Sequence, residues 1–211
     1  MSAHRAFPVV VAAPSGTGKT TVCRGVVEHD DRIVFSVSHT TRLPREGERD
    51  GIDYHFVDES AFRRMAAAQA FLESAHYNEH HYGTSWAAID GALDAGRDVL
   101  LEIEVQGARQ VRARRDDARL VFLLPPSLRA LRARLEGRGT DTEERIEERL
   151  QLARTELEAI LAFDYAVVND DLERCVAQLL DILEAERRGD TTALREQLAP
   201  APALTRLRAA G

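Results

Sequence analysis

Ala13-Pro14-Ser15-Gly16-Thr17-Gly18-Lys19-Thr20 follows the apolar run Phe7 to Ala12 and precedes a helix-like stretch. Strand, small-residue loop and helix is the order a chain needs to build a phosphate-binding loop. Small residues let the backbone wrap its N–H groups around phosphate oxygens, and the helix behind them presents the positive end of its dipole. Lys19 adds a mobile ammonium for the β- and γ-phosphates, and the Thr20 hydroxyl suits one position on a bound Mg²⁺. Ala13 stands where this loop usually carries its first glycine. The motif names a nucleoside triphosphate as donor. It leaves the acceptor open.

Bulk composition sets wide bounds. A chain of 211 residues that is 44% hydrophobic can bury one substantial core, and its length suits one domain with small insets. Against 35 Asp and Glu stand 28 Lys and Arg, a formal charge of −7, which excludes broad adhesion to nucleic acid or to an anionic membrane. Any basic surface must be local. Cys23 and Cys175 are the only cysteines and lie far apart, so a disulfide scaffold is not expected and a reducing compartment is the default. Met1-Ser-Ala-His-Arg lacks a signal peptide's apolar run and no stretch reaches membrane-spanning length, so a cytoplasmic location is expected. A monomer and a homo-oligomer both fit.

Short apolar runs alternate with longer amphipathic stretches. Strands are expected at Phe7–Ala12, Ile33–Val37, Val99–Ile103, Leu120–Leu124 and Tyr165–Val168, with helices after most of them. That is the layout of an α/β protein with a parallel sheet. From Ser38 to about Ala87 the texture changes to turns, charges and aromatics, as in an inset with its own small sheet. A second interruption falls at Gly137-Arg138-Gly139-Thr140-Asp141, between a helix starting near Ser127 and another starting near Thr142. Beyond Gly189 the chain turns to Ala, Pro and Arg, and residues 189–211 are expected to be a mobile tail.

Four constellations lie outside the loop. In Ser36-Val-Ser38-His-Thr-Thr-Arg42-Leu-Pro-Arg45, two guanidinium forks fronted by hydroxyls suit a phosphate, although a solvated Arg loop reads the same way. Tyr54, Glu73 and Tyr82 are polar members of otherwise apolar runs, placed to face a pocket; taken alone, Glu73 reads more often as an edge-strand solubility charge. Glu102 and Glu104, at i and i+2 near the carboxyl end of a buried strand, project to one face, where open α/β sheets bind ligands. At least one of these acids should meet a cation, Mg²⁺ or an Arg. Arg134 and Arg138 sit on a Gly-hinged segment with Arg149 a few turns on, arranged to close over phosphates.

Taken in order, Pro-Ser-Gly-Thr-Gly-Lys-Thr, Ser-Val-Ser-His-Thr-Thr-Arg-x-Pro-Arg, Gly-x-Asp-Tyr-x-Phe, Phe-Leu-Glu, Tyr-Gly-Thr, Gln106-Gly107, Leu-Glu-Gly-Arg-Gly-Thr and Val-Asn-Asp-Asp resemble the guanylate kinase family from about Pro8 to Arg188. The resemblance implies a P-loop NTPase-type parallel sheet flanked by helices, with an inserted mixed subdomain for the nucleoside monophosphate and a short lid. The domain would run over 5–188: core 5–37, 88–126 and 163–188, inset 38–87, lid 127–162. The implied reaction moves the γ-phosphoryl group of ATP to GMP, with Mg²⁺ accompanying ATP.

By the same resemblance Ser38, Glu73 and Thr84 face the guanine. Arg42, Arg45, Tyr54 and Tyr82 hold the monophosphate, with Glu104 nearby. Residues Ala13 to Thr21 cradle ATP, Asn169 lies beside the adenine, and Thr20 and Glu102 are at the metal. Lys19, Arg42, Arg134, Arg138 and Arg149 carry the charge of the moving group. Glu104 departs from the family's usual Asp, and Tyr77-Asn-Glu-His-His81 from its usual Gly-Asn-Tyr. Two rivals remain at this point. One is a P-loop phosphotransferase for another monophosphate or a sugar phosphate, which should lack the Ser38 and Glu73 pair. The other is an inactive scaffold domain, which typically loses loop or lid residues.

Overall fold

The computed structural model describes residues 5–77, 79–137 and 142–210. Strand β1 (Pro8–Ala12) is wholly buried, and its Val-Val-Val run is the composition of a parallel strand covered on both faces. With β2 (Ile33–Phe35), β7 (Asp98–Glu102), β8 (Arg119–Leu124) and β9 (Tyr165–Val168) it forms a 5-stranded parallel sheet in the order β2-β7-β1-β8-β9. Alternation along the strands feeds two cores. Val10, Ala12, Leu101 and Phe122 pack on one face with helices α3 (Trp86–Asp94) and α4 (Val105–Arg114). Val9, Val11, Leu100 and Val121 pack on the other with α1 (Lys19–His29) and α7 (Leu172–Arg188).

A 4-stranded mixed sheet, β4-β3-β6-β5, is built from β3 (His39–Thr40), β4 (His55–Phe56), β5 (Phe71–Tyr77) and β6 (His80–Ser85). Helix α2 (Glu59–Ala67), capped by the Asp58 side chain, covers it with Phe62 stacked on Phe71. The sheet is fastened to the core through α4. Gln110 donates to the Ser74 carbonyl at 2.7 Å and accepts the Ser74 N–H at 3.1 Å. Arg114 donates to the carbonyls of Phe71 and Leu72 at 3.0 and 2.5 Å. These side chains occupy backbone groups of β5, which stands at the edge of its sheet. Two further helices, α5 (Leu128–Glu136) and α6 (Glu143–Leu157), pair through Leu131, Leu135, Ile146 and Leu150. Ser127 and Thr142 cap them, the latter at the start expected from sequence.

At the amino end of β7, Asp98 is fully buried and Arg187 is 4% exposed. Arg187 Nε donates to Asp98 at 2.8 Å and Nη1 pairs with Asp30, so the end of α7 is tied to β7 and to the turn before β2. Burial works against the Asp30 charge, and the bonds from Arg32 and Arg187 outweigh it, holding the carboxyl below the usual range. Asp98 is therefore structural, while Glu102 at the other end of the same strand belongs to the site.

The segment after residue 189 is not a mobile tail. It forms α8 (Thr192–Gln197) and α9 (Pro200–Ala209), and the Ala166 N–H of edge strand β9 donates to the Leu198 carbonyl at 2.8 Å. Ala203, Leu204 and Leu207 are buried against β9 and the 3-10 turn Glu158–Ala162, and Arg208 pairs with Glu158. The Ala and Pro content that suggests disorder instead starts a helix: Pro200 sits in its first turn, where no N–H is needed. Leu204→Ala is expected to cost about 2–4 kcal/mol, read as a lower denaturant midpoint with the slope unchanged.

Candidate active site

The loop after β1 leaves the sheet at its carboxyl edge, where Glu102 ends β7 and Asn169 follows β9. Gly16 and Gly18 hold φ of 91° and 95°, left-handed values that a side chain resists. A Cβ on Gly18 would also stand 2.7 Å from Asn169 Nδ2. Ala13 is absent from the residues with positive φ and its methyl is buried in the second core, so no glycine is required there. Asn169 Nδ2 and Arg134 Nη1 both donate to the Thr17 carbonyl, at 2.7 and 2.9 Å, and Arg134 Nη2 donates to the Asn169 carbonyl at 2.7 Å. Arg134 thus braces the loop from α5. Ser15 and Gly16 are half-buried, Pro14 is buried, and Thr20 and Thr21 are exposed.

Lys19 donates to the Ile103 carbonyl at 2.7 Å and to Glu104 Oε1 at 3.1 Å. Burial disfavours its charge, but Glu104 and Glu102 outweigh burial and hold the ammonium above its ordinary pKa. The cation that meets an acid here is therefore this lysine. Glu102 accepts a short hydrogen bond from the Thr20 hydroxyl. Glu104 does not continue the strand; it occupies the N-cap position of α4. Both acids nevertheless line one cleft.

That cleft, of about 180 Å³, lies between the two sheets and is lined by Ser38, Arg42, Arg45, Tyr54, Glu73, Tyr82, Glu102 and Glu104. Glu73 is 3% exposed at the bottom. A bulge in β5 puts Phe71 opposite Ser85 and Glu73 opposite Thr84, so that Leu72 enters the core while Glu73 turns to the cleft. Glu73 Oε1 accepts from the Thr84 N–H at 2.9 Å and its hydroxyl at 2.7 Å, and Ser38 Oγ lies 3.0 Å from Thr84 Oγ1. Burial pushes the Glu73 carboxyl above its usual range against those two bonds. Its Oε2 fits only because residue 107 is glycine: a Cβ there would lie 2.4 Å from it. A second cleft shares Ser38, Arg42, Arg45, Tyr54 and Glu102 and extends to Thr20, joining this chamber to the loop.

Arg149 lies half-buried on α6, outside both clefts as lined, and Arg138 falls outside the described residues. Two participants carry no sequence signal of their own. Glu48 forks Arg42 through Nη1 and Nη2 at 2.8 and 2.9 Å. Glu156, near the end of α6, has Oε2 buried with no hydrogen-bond partner among the described residues. Cys23 and Cys175 are buried free thiols, and burial raises the pKa of both. No described helix is long and apolar enough to cross a membrane.

An αL-glycine loop capped by a lysine, at the carboxyl edge of a parallel sheet, defines a P-loop nucleotide-binding protein of the α/β class. A family model for guanylate kinase matches residues 5–186. The guanylate kinase of Neisseria gonorrhoeae is 48% identical over 89% of this chain and 92% of its own length. That of a Thermus thermophilus strain is 50% identical over 89% of this chain and 84% of its own length. The crystal structure of guanylate kinase from Anaplasma phagocytophilum aligns with a TM-score of 0.72 at 32% identity over 87% of each chain. The chain belongs to the guanylate kinase family.

Burial, with Glu104 beside it and Lys19 acting the other way, raises Glu156 to about 7 from an ordinary 4.5. Between those two pH values the folded protein keeps a proton that the unfolded chain has lost, so stability falls as pH rises through that window. Glu156→Gln is expected to be near neutral at pH 5 and to stabilise by about 1–2 kcal/mol at pH 8, partial exposure trimming the full effect. Urea unfolding at the two pH values checks this; an equal effect at both contradicts it.

Proposed function

We propose that this chain is an ATP:GMP phosphotransferase whose loop holds ATP and whose inter-sheet cleft holds GMP. The observation that carries the acceptor assignment is Glu73, a buried carboxylate with one oxygen engaged by Thr84 and the other seated over Gly107 in a cleft facing Lys19. Guanine presents N1–H and an exocyclic amine side by side, which a carboxylate accepts together; adenine lacks that donor pair. A buried carboxylate left without those donors disfavours the wrong base by about a thousandfold or more. Ser38 and Thr84 extend the polar edge. Arg42, Arg45, Tyr54 and Tyr82 line the same chamber as the phosphate end, residues 38–87 serve as the acceptor inset, and 127–162 as the lid. The reading extends to dGMP, which presents the same base edge and phosphate as GMP.

In the reaction an oxygen of the GMP phosphate attacks the γ-phosphorus of ATP, the bond from that phosphorus to the β,γ-bridging oxygen breaks, and GDP and ADP leave. The acceptor is anionic at neutral pH, so no strong base is needed; repulsion between two phosphates is the main obstacle. Lys19 turns from Glu104 to the β- and γ-phosphates, the loop amides hold the rest of the triphosphate, and Arg42 and Arg45 neutralise the acceptor. Arg138 and Arg149 close from the lid, while Arg134, bonded to the Thr17 and Asn169 carbonyls, keeps the loop and Asn169 in place, the latter beside the adenine. The oxygen donors of Thr20 and Glu102, already paired at the loop's edge, suit a hard cation, and would hold Mg²⁺ together with the phosphates. Mg²⁺ bound there would supply charge neutralisation for the triphosphate. Lid and inset exclude water that would otherwise take the phosphoryl group.

A coupled assay with ATP and each of GMP, AMP, CMP and UMP is expected to show turnover with GMP alone; a preference for AMP contradicts the role of Glu73. Lys19→Ala is expected to lower kcat by about 10²-fold or more with the fold retained, and a near-normal rate removes it from the chemistry. Gly107→Ala forces Glu73 to move and is expected to raise KM for GMP about tenfold while KM for ATP stays within about twofold.

A further inference from the structure

Residues 42–48 fold back on themselves. Gly47 sits at φ 84°, and a methyl there would meet no atom within 4 Å, so the requirement is conformational rather than steric. The reversal brings Glu48 alongside Arg42 and Arg45. The Glu48 N–H donates to the Arg45 carbonyl at 3.1 Å, and Glu48 Oε2 accepts the Arg45 N–H at 2.7 Å. The same carboxylate takes Nη1 and Nη2 of Arg42, and Nη1 also donates to the Leu43 carbonyl at 2.8 Å. Arg42 lies between aromatic neighbours, 5.3 Å from the Tyr54 ring centre and 5.7 Å from that of Phe56, with its side chain 11% exposed. The bond to Glu48 is the main influence holding its pKa high.

A guanidinium has five N–H donors in one plane. Glu48 takes the end-on pair, and Leu43 the outer Nη1 hydrogen. What Glu48 and Leu43 leave is the side-on edge, Nε–H with the outer Nη2–H, a second fork of the right spacing for two oxygens of a phosphate; the Tyr82 side chain, which lines the same cleft, also bonds to this guanidinium. Glu48 thereby decides which edge of Arg42 is offered to the cleft, and locks the Arg45 backbone in the same contact. We propose that Glu48 is a positioning residue for the acceptor phosphate: it occupies the end-on fork of Arg42 and fixes the Arg45 turn, so that both arginines meet the GMP phosphate in one prearranged geometry. The inference rests on the reading of the cleft as the GMP site. A carboxylate beside a phosphate subsite is otherwise a repulsive charge, so its presence needs the positioning it supplies.

Steady-state kinetics of wild type, Glu48→Ala, Glu48→Gln, Arg42→Ala and the double variant, with GMP and ATP each varied in turn, test it, alongside thermal midpoints. Glu48→Ala is expected to raise KM for GMP about tenfold, with kcat within about fivefold and KM for ATP within about twofold. Glu48→Gln, which keeps the shape and one acceptor oxygen, is expected to fall between. Because Glu48 acts in part through Arg42, adding Glu48→Ala to Arg42→Ala should bring less further loss than Glu48→Ala brings alone, the remainder reporting the Arg45 contact. Additive losses overturn the proposal. So does an unchanged or lowered KM for GMP, the latter making Glu48 a competitor for Arg42. Parallel rises in both KM values with a lowered midpoint also overturn it, as the mark of a purely structural role. Absence of wild-type turnover with GMP overturns both this inference and the functional reading; wild-type turnover with an unaffected Glu48→Ala overturns this inference alone.

Discussion

A single ammonium group joins the two halves of the site. Lys19 begins α1 directly behind the phosphate loop, and its bonds to the Ile103 carbonyl and to Glu104 hook that helix onto the junction between β7 and α4. Helix α4 then carries Gly107, which makes room for Glu73, and Gln110 and Arg114, which hold the strand that bears Glu73. The loop lysine and the buried cleft carboxylate are thus referred to one short helix. Because protein interiors are close-packed and resist small displacements, an error at one end of α4 is carried to the other.

The charge balance of the cleft follows from that arrangement. Glu73, Glu102 and Glu104 line it, with Glu156 electrostatically coupled to Glu104 and Lys19, in a chain whose formal charge is already −7. Such a chamber repels a nucleotide unless cations are placed within it, and low local dielectric makes each placement count. Lys19 offsets the acids at the loop, and Arg42 and Arg45 offset them elsewhere in the cleft. Glu73 has no ion-pair partner among the described residues, although Lys19 and Arg114 act on it at longer range: its oxygens meet a hydroxyl, an amide and the space above a glycine. A carboxylate without a salt bridge, one of whose oxygens takes no hydrogen bond from the described residues, keeps acceptor capacity for other N–H groups.

The carboxyl-terminal helices solve a different problem. Strand β9 closes the order of the large sheet, so one of its edges has no strand partner among the described residues. The Leu198 carbonyl takes one of its N–H groups, and α9 lays Ala203, Leu204 and Leu207 over the same side. The family match ends at residue 186, so this cover lies outside it. It also packs on the 3-10 turn that ends α6, the helix carrying Arg149 and Glu156.

Much of the molecule is legible in the residue order, because its signals are local. The Gly16 and Gly18 spacing, the all-apolar strands and the caps at Ser127 and Thr142 each depend on neighbours within a few positions. Tyr165–Val168 is read to the residue, and the ends of the other four large-sheet strands shift by one or two. Nonlocal facts escape. Whether 189–211 is ordered depends on an unpaired strand edge that no composition reveals, and Ala and Pro serve a helix start as well as a loop. Strand β7 ends at Glu102 and Glu104 takes a helix cap, where it meets Lys19, distant in the chain but 3.1 Å away in the fold. The partners of Arg42 and Glu73 are settled the same way, since a carboxylate or a guanidinium is chemically the same residue wherever it lies. Residue order alone established the phosphate loop, the parallel α/β layout and the family; packing in three dimensions chose which charges meet, because electrostatic and steric complementarity act between atoms brought close by folding, whatever their separation along the chain.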